Sequence, residues 1–242
     1  MNRTLLNLVA LAVCFFAFHT SGYGQLSPPA DSISTKYPIH LFEKALAGQS
    51  RLNNGREYIL ALTNAEGHPF FETRSWSSGS VHYDGVLFND VELLYDLQKD
   101  ELVAQNFAFP NSLSLVTQKV KEFRVLDHHF VYLKQDSLRQ VVQEGFYDQL
   151  YKNNLSVLAR RKKIVEVARN VTRDAKFVQE NEYYLVKEGV LFPVKSKASV
   201  LKLLNDRKTE LQQYMKKNGI LFKQDPEDAI VRMAAYYDQL SK

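Results

Sequence analysis

"VHYDGVLFNDVELLYD" occupies residues 81–96. Whether its two Tyr-Asp pairs are a ligand motif, a repeat unit or the corners of a sheet decides the fold. Tyr83-Asp84 and Tyr95-Asp96 stand twelve residues apart. Asp84-Gly85 reads as a two-residue hairpin turn, in which both central residues need positive φ. Asn89-Asp90 predicts a second corner. Beyond it Val91, Leu93 and Tyr95 alternate with Glu92, Leu94 and Asp96, the period of a strand. Asp96 to Asp100 predicts a longer corner into "ELVAQ" (101–105). The pairs therefore read as strand ends, because Tyr suits a half-buried pleated surface and Asp tolerates the turn that follows.

The same pattern extends outward. "REYILAL" (56–62) and "PFFETRSW" (69–76) read as strands, with Ser77-Ser78-Gly79 as a loop. "SLSLVTQ" (112–118), "EFRVL" (122–126) and "HFVYLK" (129–134) follow, with Asp127-His128-His129 as a polar turn. Residues 145–167 predict a long hairpin turning at Asn153-Asn154, and 182–195 a second turning at Glu188-Gly189. The fold class is α+β: an antiparallel meander of about ten strands, an open barrel or clam. Helical periods flank it. "IHLFEKALAG" (39–48) is a short amphipathic helix stopped by Gly48. "ASVLKLLN" (198–205) and "RKTELQQYMKKNG" (207–219) are helices, the latter with Leu211, Tyr214 and Met215 on one face. Asp225-Pro226 opens a last helix to about Leu240, striped by Ile230, Met233, Ala234 and Tyr237. No Gly/Pro-rich linker divides 39–242, so one domain is expected, mainly β to 195 and helical from 196. Tyr147-Asp148 and Tyr237-Asp238 fall in a strand and a helix, so the dipeptide has no single role.

The amino terminus predicts export. Arg3 precedes an apolar run from Leu5 to Phe18, and Gly22-Tyr23-Gly24 offers small residues for cleavage between Gly24 and Gln25. The run is shorter than the roughly 20 residues of a spanning helix, and no later segment resembles one. Cys14, the single cysteine, lies inside it, and Val13 argues against a lipidation box. After cleavage no cysteine remains for a disulfide or thiolate metal site. Residues 25–38, with Ser27-Pro28-Pro29, read as a tether. Packing must then stabilise the fold, and 15 Phe and 13 Tyr supply the material. Residues 1–150 carry 12 basic against 16 acidic side chains, and 151–242 carry 19 against 11. The basic half is read as a solvated surface, with an anionic partner as the sharper alternative. Export and the lack of any nucleic-acid motif exclude nucleic acid as a partner.

Five stretches resemble a group of uncharacterised exported proteins from Bacteroidota-type Gram-negative bacteria: "NNGREY" (53–58), 79–102, 145–163, 182–204 and 216–240. The resemblance implies a secreted or envelope location, periplasmic, outer-membrane-associated or extracellular, and a mainly β body. It carries no activity and no functional residue.

The candidate chemical groups are dispersed. His40, His68, His82, His128 and His129 show neither His-x-His nor His-x-x-x-His spacing, so no metal site is expected. Asp84, Asp90, Asp96 and Asp100 lack the order of a calcium loop and match successive corners. Ser77, Ser78 and Ser80 lie near His82 and Asp84 without a nucleophile elbow. "RRKK" (160–163) reads as charge guarding a strand end, or as an anion patch. Trp76 is a rim or core residue with a stacking role as the alternative. These readings favour a non-catalytic exported envelope protein, structural or partner-binding, with no cofactor. A carrier of an apolar ligand such as a lipid or lipoprotein is the alternative, since strands such as "VELLYD" are apolar on both faces. A periplasmic hydrolase using His82, Asp84 or His128-His129 is the lesser one.

Overall fold

The structure, a computed structural model, describes residues 52–60, 64–105, 111–135, 142–168 and 174–240. The Gly24/Gln25 junction, the tether and the 39–48 helix lie outside them.

Among the described residues eleven strands form one open antiparallel sheet. They are β1 (Arg56–Glu57), β2 (Ser77–Tyr83), β3 (Val86–Asp96), β4 (Glu101–Gln105), β5 (Ser112–Ser114), β6 (Val120–Val125), β7 (His128–Leu133), β8 (Gly145–Lys152), β9 (Ser156–Val167), β10 (Ala175–Lys187) and β11 (Val190–Val194). Their order is β1-β5-β4-β3-β2-β6-β7-β8-β9-β10-β11. The expected single meander is thus two meanders, β2–β5 and β6–β11, joined where β6 pairs with β2. Residues 115–119 return the chain to that junction. Leu115 N–H donates to the Leu102 carbonyl, and Lys119 O accepts from Asp84 N–H.

Three hairpins turn on two residues at positive φ: Asp84-Gly85 (49° and 81°), Leu126-Asp127 (50° and 61°) and Glu188-Gly189 (52° and 74°). The first and third match the sequence reading. The second displaces the expected Asp127-His128-His129 turn by a residue, and both histidines join β7. Asn89-Asp90 is no corner. It lies inside β3, where Gly79 faces Val91 but Val81 faces Phe88, so β3 carries one extra residue. Asp90 takes φ 54° there and the strand bends without reversing.

Four further expectations fail in whole or in part. "PFFETRSW" is irregular, with only Phe70 bridging to Asp96, and the expected Ser77-Ser78-Gly79 loop is the start of β2. The aromatic pair is divided between two apolar clusters, Phe70 with Leu94 and Val103, and Phe71 with the main core. Among the described residues of "REYILAL", 56–60, only Arg56–Glu57 are strand, and "SLSLVTQ" gives way to a 3-10 turn at Thr117–Lys119.

The sheet is strongly curled. Glu66 bridges to Lys176 on β10 and Phe70 bridges to Asp96 on β3. Four residues reach at most about 14 Å. β3 and β10 stand six places apart in the sheet, about 29 Å if it were flat. Lys163 Nζ strengthens the closure by donating to the carbonyls of His68 (3.1 Å) and Phe70 (2.5 Å). Aromatic side chains fill the curl: Phe123 stacks on Phe130 at 4.8 Å, and Tyr95 meets Phe130 and Phe146 edge-on at 4.9 and 5.7 Å.

Among the described residues three helices cover the sheet beyond the curl: α1 (Lys197–Leu203), α2 (Lys208–Lys217) and α3 (Pro226–Leu240). A reciprocal Ser196–Ser199 box caps α1, and Asp225 Oδ1 accepts the Asp228 N–H at 2.9 Å to cap α3. Ile230, Met233, Ala234 and Tyr237 are buried against Val157 and Leu185 of the sheet and Leu211 and Met215 of α2. Among the described residues no helix is long and apolar enough to cross a membrane.

Candidate functional site

Phe130, Asp148, Ala159 and Tyr183 form one row across β7–β10. This row lies between the curl and the helix-covered core, and a polar seam runs along it. Asp148 is 1% exposed. Its Oδ2 accepts from Arg161 Nε at 2.8 Å and lies 2.7 Å from His128 Nδ1. Arg161 also donates to Glu227 on α3 at 2.8 Å, and Glu227 accepts the Tyr183 hydroxyl at 3.1 Å. Phe71 packs edge-on to His128 at 4.9 Å. The bond to Asp148 raises the His128 pKa, while burial and the Arg161 charge oppose it.

Arg160 points to the opposite face. It lies over the Tyr147 ring and donates to the Phe146 carbonyl at 2.6 Å and to Asp100 Oδ2 at 2.7 Å. The Tyr95 hydroxyl donates to the other Asp100 oxygen at 2.6 Å. The path crosses Gly145, where any Cβ would collide with the Asp100 carboxylate and the guanidinium. "RRKK" is therefore neither a guard at a strand end nor an open anion patch. Arg160 and Arg161 are 3% and 5% exposed, because β9 runs on to Val167 and places them mid-strand.

The remaining sequence candidates are scattered. Asp84 sits in its turn, 3.4 Å from Lys119. Asp96 is buried and accepts from Gln98 N–H, Lys99 N–H and the Tyr58 hydroxyl. Ser77, Ser78, Ser80 and His82 lie along β2. His129 faces Glu122 at 3.1 Å, on the opposite side of β7 from His128. Trp76 packs beside Phe70 and Leu94. His40 lies outside the described residues. Among those described, no three His, Cys, Asp or Glu side chains converge as metal ligands. His128-Asp148 is a geometric acid–base pair, but His128 Nε2 faces Glu72 at 3.6 Å, where a nucleophilic hydroxyl would have to stand.

A groove of ≈ 950 Å³ opens beside β10. Tyr147, Tyr183, Tyr184, Phe222, Leu191 and Val194 supply its apolar walls, and Gln143, Asn181, Glu182 and Lys195 its polar groups. Tyr183 lies on the helix-covered face and Tyr184 on the other, 5.7 Å from Tyr147. Burial raises the pKa of all three tyrosines, and for Tyr184 the bond to Glu182 adds to it. They are neutral hydroxyl donors at neutral pH. The groove exists because β10 extends well past the end of β11. That extension lies in "AKFVQEN" (175–181), where two adjacent apolar residues, Phe177 and Val178, and the polar run Gln179-Glu180-Asn181 break the alternation that marks a strand.

No family model matches the chain, and no curated protein or solved structure matches it.

Proposed function

We propose that the chain is an exported envelope protein that acts without catalysis, by holding a partner in the groove beside β10. The observation that carries this reading is the groove itself, with aromatic walls on both faces of the sheet and a few polar groups at its rim. An apolar-ligand carrier is the second reading, favoured by the same walls. Such a ligand belongs in the groove and not inside the curl, which Phe123, Phe130, Tyr95 and Phe146 already occupy. The hydrolase reading has the least support, since His82, Asp84 and His128 stand on separate elements.

Fluorescence of an apolar dye tests the groove. The native protein should bind the dye, and Phe222→Glu should abolish binding while leaving the urea midpoint within about 1 kcal/mol of native. Equal dye binding by both proteins would count against a groove function. Amino-terminal sequencing of protein from cell fractions tests export. A start at Gln25 is expected, and a start at Met1 or at an acylated Cys14 would overturn it.

A further inference from the structure

We propose that the groove takes an extended polypeptide, added as a strand to the free edge of β10. The peptide carries large apolar residues at alternate positions and a basic residue beside Glu180. This deepens the reading above and rests on the groove being a binding site.

β10 pairs with β9 from Ala175 to Val186, but β11 covers only Tyr183 to Lys187 of its other edge. At the far end Phe177 N–H donates to Glu66 O at 2.9 Å, and Ala175 O accepts from Glu66 N–H at 2.7 Å. Odd-numbered residues of β10 therefore direct their backbone groups to this edge. Between Phe177 and Tyr183 that leaves Gln179 and Asn181. Their N–H and C=O groups face the gap with no backbone partner among the described residues. Four groups at strand spacing, donors and acceptors alternating, match an extended chain and nothing rounder.

Pro193 lies opposite Tyr184 in β11, so its proton-less nitrogen turns to the outer edge of the sheet and blunts it. The β10 gap has no such guard.

The groove walls point the same way. Tyr183 and Tyr184 project to opposite faces, yet both line one groove. A compact ligand would sit on one face. A strand in the plane of the sheet sends alternate side chains to each, toward Phe222 and Pro226 on one side and Tyr147 and Val142 on the other. Glu180 is exposed beside the gap, on the same face as Glu182; Glu182 already faces Lys162 at 3.6 Å, so Glu180 is the acidic group that the slot offers.

The test is selection of a displayed random-peptide library on the native protein, followed by affinity measurement with the synthetic peptides. Asn181→Pro deletes one edge N–H and leaves the β9 ladder intact, because that N–H is not in the ladder. It should weaken binding tenfold or more with the circular dichroism unchanged. Glu180→Lys should weaken it at low salt and less at high salt. On the unaltered protein, peptide should protect the Gln179 and Asn181 amides from hydrogen exchange, and this measurement decides the matter if Asn181→Pro fails to fold. Equal binding by Asn181→Pro, protection elsewhere, no selected peptide, or a dimer of this chain formed through the same edge would overturn strand addition. If Phe222→Glu still abolishes dye binding while the peptide tests fail, only strand addition falls. If both fail, the groove reading falls with it.

Discussion

Arg160 and Arg161 show how little a charge run says by itself. Their partners Asp100, Asp148 and Glu227 lie 60, 13 and 66 residues away in the chain, and only the folded sheet brings them together. Sequence patterning treats lysine and arginine runs as solvated because burial of an unpaired charge is prohibitive, and pairing at a distance is invisible to it. Arg161→Met should leave Asp148 buried without its main counter-charge and cost about 3–5 kcal/mol in urea unfolding. His128 gives a second prediction. Its folded pKa is raised above the ordinary 6.5, chiefly by the Asp148 bond. A raised folded pKa contributes stability in full below the unfolded value and loses it as pH rises through the folded value. The stability difference between native protein and His128→Gln should therefore be largest below pH 6 and shrink toward pH 9 in paired urea titrations. A difference that grows with pH would mean the imidazole is held neutral.

Among elements, hairpins were the most legible. Asp-Gly and Glu-Gly dipeptides announced turns because few residues tolerate positive φ at consecutive positions. Gly85 has φ 81° and open space where a Cβ would point, so Gly85→Val tests backbone strain without a clash. A loss of about 1–3 kcal/mol is expected from the urea midpoint, and no change would remove strain as the reason for glycine there. Asn89-Asp90 was misread because a bulge needs the same left-handed aspartate as a turn. β2 was missed at Ser77-Ser78-Gly79 because small polar residues resemble a loop. Gly79 is required there by a neighbour: a Cβ would collide with the Arg124 carbonyl of β6. Of the groove, the sequence reading included the β10–β11 hairpin but not the unequal lengths of its arms, and those lengths create the open edge.

At the scale of the whole molecule, the α3 stripe was legible because a lone helix of its length is marginal in water and must pack on something. Its seat is the sheet beyond the curl. Asp238 ties the helix down further by accepting the Leu155 N–H and the Tyr151 hydroxyl. Met233 is fully buried, so Met233→Asp should cost about 3 kcal/mol or more and give aggregated or unfolded protein by size exclusion and circular dichroism. A well-folded monomer would show that the sheet stands without the helix. A curved sheet, open barrel or clam, was expected from the strand count; the contact that closes the curl was not legible, since it depends on one short segment touching two strands far apart in the sheet.

That segment, Glu66 to Phe71, also imposes an order in time. Adjacent hairpins such as β8–β9 and β10–β11 can form on the microsecond scale. The Glu66–Lys176 bridge joins residues 110 apart, and its closure entropy is met only after the intervening strands have gathered the chain. Closure of the curl is expected to be the last step of folding and its opening the first step of unfolding. The Glu66 and Phe177 amides should accordingly exchange with solvent faster than those in the middle of β8 and β9.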